Sequence, residues 1–108
     1  LSTIGLIEME NTLEVGNLEQ IRIEAVGIIR RLIAREISRE GADSWTRDLH
    51  RDYGDDVTDK IRLQDPPLAD LIDALPLAIT PNEPEGWLYD TDDFQAWLQD
   101  YIDESEAK

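Results

Sequence analysis

The stretch Leu18–Glu40, LEQIRIEAVGIIRRLIAREISRE, decides how this 108-residue chain folds. Its apolar residues recur every three or four positions, which is the period of an α-helix. They form two adjacent stripes, so we expect other elements to enclose the helix on several sides. The sequence therefore predicts one long central helix at about residues 18–40, ended by Gly41 just after its last turn. The first stripe holds Leu18, Ile21, Ala25, Ile28 and Leu32, and the second holds Val26, Ile29, Ile33 and Ile37.

Shorter helices are predicted on both sides of a less regular segment. Trp45, Leu49 and Tyr53 follow one face of a helix that Gly54 is predicted to end. Asp65-Pro66-Pro67 is typical of a helix start, with aspartate as the cap and proline in the first turn. Residues 77–89 carry prolines and a glycine, which favours a short strand pair or an extended loop packed on the helices. Residues 1–15 fit neither the helical nor the strand period cleanly, so a short helix is favoured and a strand stays open. The remaining helical segments are Val57–Leu63, Leu68–Leu75 and Phe94–Ile102. In the second of these, Leu68, Leu71, Ile72 and Leu75 form an apolar stripe.

The predicted fold is all-α: a single acidic helical domain, residues 1–108, built as a small bundle around the long helix. The chain length suits one domain, and a hydrophobic content of 41% suits one core. No apolar run reaches the roughly 20 residues that a membrane span requires, and the N-terminus lacks a signal peptide pattern. Since the chain has no cysteine, a reducing compartment is permitted, and we expect a cytoplasmic protein.

Charge is distributed unevenly along the chain, whose net charge is −15. Residues 63–108 contain 12 acidic residues and one basic residue, Lys108, which makes this third strongly negative. Such a field repels nucleic acid and favours encounter with basic proteins. We therefore expect a protein partner of basic character, and direct binding of nucleic acid or membrane is disfavoured. Candidate acidic contacts on the last helix are Asp92, Asp93 and Asp100.

Arginines form the second candidate surface. Arg31, Arg35 and Arg39 fall at i, i+4 and i+8, on one stripe of the predicted long helix. None has an acid four residues before it in that helix, so the stripe needs carboxylates from elsewhere. Two interpretations stay open: the acidic C-terminal third folds against the stripe, or the stripe is left for an acidic partner or a phosphate. Trp87, in a segment rich in proline and glycine, is a further candidate interface anchor.

Patterns for catalysis or metal binding are weak. Asp90-Thr91-Asp92-Asp93 begins like a calcium loop, but its sixth position is Gln95 and its twelfth is Tyr101, where the loop needs glycine and glutamate. The single histidine, His50, lies among acids and is interpreted as a surface residue. There is no glycine-rich phosphate loop and no nucleophile elbow. We therefore expect no catalytic residues, no cofactor and no metal.

The function predicted from these features is a non-catalytic protein–protein interaction module, such as an adaptor, regulatory or inhibitory domain. Self-association is also expected, because a helix that is apolar on two stripes could pair with a second copy. Two alternatives stay open. The first is an antitoxin, immunity protein or nucleic-acid mimic that neutralises a basic partner, and the second is an enzyme that uses a carboxylate-bound metal.

Overall fold

The computed structural model describes residues 13–81 and 86–106, and within these ranges the chain is an all-α bundle. The predicted fold class is therefore confirmed. Each helix follows the previous one after a short connection, apart from the longer segment before the last helix. In chain order the elements are α1 (Val15–Ile33), α2 (Arg39–Tyr53), α3 (Val57–Gln64), α4 (Pro66–Ala74), a 3₁₀ helix (Leu75–Ile79) and α5 (Thr91–Glu106).

One hydrophobic core holds the helices together. The 3₁₀ helix packs along α2, α3 packs on α4, and α5 lies against both α1 and α4. The largest fully buried side chains come from α1, α3, α4 and the start of the 3₁₀ helix, so the core lies where these elements meet. These side chains are Ile29, Val57, Ile61, Leu68, Ile72 and Leu75.

The predicted helix over residues 18–40 is wrong in its bounds, because the chain turns after Ile33 and a second helix begins at Arg39. The N–H of Glu36 donates to the carbonyl of Arg31, and the N–H of Arg35 donates to that of Leu32. This pair of bonds is the Schellman motif, which ends helices with a residue in the left-handed conformation. Arg35 takes that conformation, at φ 62°. The helix therefore ends without the glycine that sequence patterns rely on.

The prediction that Gly41 ends a helix is wrong. Gly41 lies in the first turn of α2. The side chain of Ser38 caps α2 by accepting a hydrogen bond from the N–H of Gly41 at 2.9 Å. A Cβ atom at Gly41 would lie only 2.8 Å from Cγ1 of Ile37. Glycine therefore lets Ile37 pack over the start of α2 in this position, and a larger residue would force the Ile37 side chain to shift. The turn lets α2 fold back, where Ala42, partly buried Trp45 and Leu49 join the core.

Replacing Arg35 with glycine is expected to raise the free energy of unfolding by about 0.5–1 kcal/mol. Glycine adopts positive φ without the steric cost that an L side chain meets there, and this gain exceeds its larger entropy loss on folding. Chemical denaturation measures the change. Ala34→Gly is the matched control, because Ala34 has a right-handed conformation, φ −77°. That variant should lose stability, and a loss in Arg35→Gly as well would contradict the assignment of strain to Arg35.

Several local predictions are confirmed. Asp65 caps α4, which begins at Pro66, and Gly54 ends α2 at φ 103°. Predicted residues of the second helix also face inward: Leu49 is buried, and Trp45 and Tyr53 pack partly against the core. The apolar stripe predicted for the segment Leu68–Leu75 is buried throughout, although Leu75 already begins the 3₁₀ helix. Its members are Leu68, Leu71, Ile72 and Leu75.

In the parts of residues 77–89 that are described, a 3₁₀ helix is followed by a loop, and no strand pair forms. The 3₁₀ helix continues to Ile79, and a single antiparallel bridge then joins Pro81 to Trp87. The N–H of Leu88 also donates to the carbonyl of Thr80. Most of the ambiguous segment 1–15, for which a short helix is predicted, lies outside the described residues.

Candidate functional site

Arg39 connects α2 to the segment that precedes α5. Its Nη1 atom donates hydrogen bonds to the carbonyls of Ala78 at 2.8 Å and Tyr89 at 2.7 Å. Its Cζ atom also lies 5.1 Å from the ring centroid of Trp87 and 5.0 Å from that of Phe94, which is cation–π distance. A cation at the first residue of a helix is disfavoured by the helix dipole. The position of Arg39 is therefore determined by these tertiary contacts.

A cavity of about 520 Å³ opens beside Arg39, between the α1–α2 turn and the start of α5. We call it the arginine cavity. Two of its lining residues are cations and two are acids, and the others are mostly apolar or aromatic. The full lining is Leu32, Arg35, Ile37, Ser38, Arg39, Glu40, Trp87, Asp90, Thr91 and Phe94.

The predicted arginine stripe is split by the α1–α2 turn. Arg35 and Arg39 line the arginine cavity, whereas Arg31 lines a separate groove between α1 and α2 with Ile23 and Trp45. The expected alignment of the three residues required one continuous helix, and that helix ends at Ile33. The structure instead brings Arg39 onto Trp87, a pair that are 48 positions apart in the chain.

The described acids of the C-terminal third do not neutralise these arginines through ion pairs. Within residues 13–81 and 86–106, neither Arg31 nor Arg35 forms a salt bridge or a side-chain hydrogen bond, and both are exposed. Arg39 meets the same third of the chain through backbone carbonyls and rings. The interpretation that the acids fold against the stripe is therefore wrong for the described part of the chain.

Asp92 and Asp93 lie in the first turn of α5, where acids suit the helix dipole. Asp93 accepts a hydrogen bond from the N–H of Asp90, and the carboxylate of Asp90 accepts from the N–H groups of Asp92 and Asp93. These reciprocal bonds form a capping box. Asp90 and Asp93 thus have a structural role at this helix start, while Asp92 is exposed.

Asp100 lies in a groove between α4 and α5, with a volume of about 250 Å³. We call it the acidic groove. Two aromatic residues of α5, Trp97 and Tyr101, share its wall with the carboxylates of Asp70 and Glu104. Asp70 forms an ion pair with Arg62, at 2.6 Å. The complete lining is Pro67, Asp70, Leu71, Ala74, Trp97, Asp100, Tyr101 and Glu104.

An ion pair between Arg22 and Asp65 ties α1 to α4. Nε and Nη2 of Arg22 donate to Oδ2 of Asp65 at 3.1 and 2.8 Å, and Asp65 is only 6% exposed. Glu19 also accepts a hydrogen bond from Arg22. Hydrogen bonding to Asp65 raises the pKa of the Arg22 guanidinium, against the opposing effect of partial burial. Because the folded pKa is raised, the charged form of Arg22 stabilises the fold at every pH below its ordinary range.

His50 is a packed residue and not the surface residue that its acidic neighbours predicted. Its Nδ1 atom lies 2.8 Å from the carbonyl of Thr46, and its Nε2 atom lies 3.2 Å from the hydroxyl of Thr58. The carbonyl can only accept, so Nδ1 carries a proton and donates to it. His50 thereby links α2 to α3. The sequence pattern did not predict this contact, because His50 and Thr58 are eight positions apart and lie on different helices.

Residues 13–81 and 86–106 lack the features of a metal site and of a membrane span. In those ranges no group of three or more histidine or acidic side chains is arranged to hold a metal ion. None of the helices there combines the length and the apolar character needed to cross a membrane.

Comparison with known proteins finds no match: no protein-family model, no curated protein and no solved structure is significantly similar to this chain. Function is therefore inferred from the two surfaces described above, the arginine cavity and the acidic groove.

Proposed function

We propose that this protein is a non-catalytic interaction module that binds a basic protein partner through the acidic groove. The observation that carries the proposal is the charge of α5, which has six acidic residues and no basic residue. A partner's arginine or lysine would supply the cations that α5 lacks. The acids of α5 are Asp92, Asp93, Asp100, Asp103, Glu104 and Glu106.

The acids in the C-terminal half of α5 are unfavourable for the isolated helix. Asp100 and Glu104 are four residues apart, where like charges repel by a few tenths of a kcal/mol. The last turn also places acids at the negative end of the helix dipole and contains no base. Within the described ranges, Asp100 and Glu104 make no ion pair. A bound cation would relieve both repulsions, which supports a basic ligand at this helix.

Aromatic side chains make the groove suited to a guanidinium or ammonium group. Trp97 and Tyr101 lie in its wall together with the carboxylates of Asp100 and Glu104. A cation over an aromatic face gains about 0.5–2 kcal/mol, and nearby carboxylates add charge-assisted hydrogen bonds. The volume of about 250 Å³ suits one long basic side chain. The groove thus combines general acidity with a specific position for a basic anchor.

A short fluorescent peptide of alternating arginine and glycine tests the proposal by fluorescence anisotropy. We expect saturable binding that weakens as salt rises, because exposed ion pairs are screened. The double variant Asp100→Asn, Glu104→Gln should weaken binding by at least about fivefold, since it removes two carboxylates beside the anchor.

The matched control is the double variant Asp55→Asn, Asp59→Asn. Both residues are exposed and make no ion pair with a described residue. The control changes the net charge by the same amount, so it should alter the affinity by less than about twofold. Equal weakening in the two double variants would attribute binding to the overall field and contradict the groove. Absence of any binding at low salt would contradict the proposed function itself.

The narrower alternative is an antitoxin, immunity protein or nucleic-acid mimic that neutralises a basic partner. The positions of Asp93, Asp100 and Glu104 support it, because steps of seven and four residues place them on one face of α5. A row of carboxylates on a helix can imitate phosphates along a nucleic-acid strand. A nucleic acid that competes with this protein for the same basic partner would favour this alternative over a general adaptor.

We also propose that the protein is cytoplasmic and that it self-associates. Ile23 on α1 is 58% exposed and lines a groove between α1 and α2 together with Trp45. This surface, more than the interior stripes of α1, is the place where a second copy would bury apolar area. Sedimentation velocity reads the oligomeric state directly, and a monomer at high concentration would remove this part of the proposal.

A further inference from the structure

We propose that the arginine cavity binds a monocarboxylate attached to an apolar body. This site is separate from the acidic groove, has the opposite charge preference and does not depend on the proposed function. The inference rests on an arginine with unused hydrogen-bond donors, a second arginine held in a strained conformation, and an apolar wall beside them.

Arg39 has a bidentate edge that no described residue occupies. A guanidinium carries five N–H donors, and the two on Nη1 are used by the carbonyls of Ala78 and Tyr89. The N–H groups of Nε and Nη2 have no acceptor among the described residues. These two atoms form the edge that matches the two oxygens of a carboxylate. Because contacts to Trp87 and Phe94 hold the guanidinium in place, little entropy is lost when an anion binds.

Arg35 places a second cation in the same wall. Its backbone has φ 62°, a conformation that favours glycine, yet the residue is exposed and pairs with no described acid. Strained residues that stability alone would replace are concentrated at functional sites. An anion in the cavity would give the Arg35 side chain a partner, which accounts for an arginine at a position suited to glycine.

The lining of the cavity also indicates which body and which anionic group the ligand has. Its volume of about 520 Å³ lies within the range of small-molecule sites, and Leu32, Ile37 and Trp87 supply apolar lining. Glu40 and Asp90 are in the wall as well, so the charges of the lining balance. A dianionic phosphate would meet more repulsion from these acids, and from the net charge of −15, than a single carboxylate would. A monocarboxylate with an aliphatic or aromatic body therefore fits best.

Titration with 4-phenylbutyrate, followed by two-dimensional NMR of the tryptophan indole N–H groups, tests the site. The chain has three tryptophans, and the signal of Trp87 is assigned with the variant Trp87→Phe. We expect a saturable shift of the Trp87 signal, with smaller changes at Trp45 and Trp97. The amide of the same acid should give no saturable shift, because it lacks the charge that the two arginines recognise.

Substitutions then separate recognition from folding. Arg35→Gln should weaken 4-phenylbutyrate binding by at least about fivefold, and Arg31→Gln by less than about twofold, because Arg31 lines a different groove. The two variants remove the same charge from exposed residues without ion pairs to described acids. Arg39 is left unchanged in this test because its substitution also removes contacts that hold the fold.

Two further probes identify the source and class of the ligand. A short acetylated peptide that ends in a free leucine carboxylate represents a protein C-terminus, whereas 4-phenylbutyrate represents a free organic acid. Saturable binding of either supports the proposal and indicates the source. Phenyl phosphate binding more tightly than 4-phenylbutyrate would overturn the assignment to carboxylates. A Trp87 signal that does not respond to either carboxylate, or an equal effect of Arg31→Gln and Arg35→Gln, would overturn the site.

Discussion

Replacing Arg39 with alanine is expected to lower the free energy of unfolding by about 3 kcal/mol. The change removes two hydrogen bonds from a charged donor to partly buried carbonyls, each worth about 1.5–3 kcal/mol before relaxation and hydration of the carbonyls. It also removes the cation–π contacts with Trp87 and Phe94, which add about 1 kcal/mol. Urea denaturation followed by circular dichroism measures the loss.

Arg30→Ala is the matched control, because Arg30 is exposed and makes no hydrogen bond or ion pair with a described residue. It should change stability by less than about 0.5 kcal/mol. Arg39→Lys should recover part of the loss, since lysine keeps the charge but lacks the planar fork. A loss in Arg39→Ala no larger than that in Arg30→Ala would show that the contacts of Arg39 do not hold the segment before α5.

Arg22→Ala is expected to lower the free energy of unfolding by about 2–4 kcal/mol. Removing one partner of a buried pair leaves the other charge in a poorly hydrated place, which costs more than the pair itself contributes. Asp65 is 6% exposed and also caps α4, so its carboxylate cannot move into water without disturbing the start of that helix. This expected loss is smaller than the roughly 3–5 kcal/mol typical of a fully buried pair, because the Arg22 side chain is 34% exposed and partly hydrated.

Arg62→Ala provides the comparison, because Arg62 also pairs with two carboxylates. It contacts Asp70 at 2.6 Å and Asp73 at 2.5 Å, but all three side chains are well exposed. The hydrogen bond to Asp70 raises the pKa of Arg62, yet screening by solvent limits the gain in stability to less than about 1 kcal/mol. Equal losses in Arg22→Ala and Arg62→Ala would contradict the role given to burial. A double-mutant cycle with Asp65→Asn would measure the Arg22–Asp65 coupling itself.

The role of Arg39 in stability also affects how the arginine cavity can be tested. Arg39 holds the wall of the arginine cavity, so loss of ligand in an Arg39 variant would not distinguish binding from folding. For this reason the ligand test substitutes Arg35 with glutamine. The variant Arg35→Gly loses the same charge and, in addition, is expected to gain stability. A variant that becomes more stable and binds less would be the clearest sign that Arg35 is kept for recognition.

Sequence alone determined the helical class and the parts of the fold that depend on neighbouring residues. Asp65-Pro66-Pro67 predicted the start of α4, Gly54 predicted the end of α2, and periodicity predicted the buried stripe of α4. These features succeed because capping, proline geometry and helical period act over four residues or fewer. The sequence also predicted that Asp92, Asp93 and Asp100 share one helix, because helical spacing suffices to place them there.

Tertiary structure decided where the long apolar stretch turns and what its arginines contact. No glycine or proline marks the end of α1, and the turn at Arg35 is stabilised by the packing of α2 that it allows. Arg39 reaches carbonyls 39 and 50 positions away, and Arg22 reaches Asp65 across 43 positions. Such contacts depend on which helices become neighbours, and local patterns carry no information about that. The stretch Leu18–Glu40 therefore specified helix and core, while its break and the cavity beside it came from the packing of the whole chain.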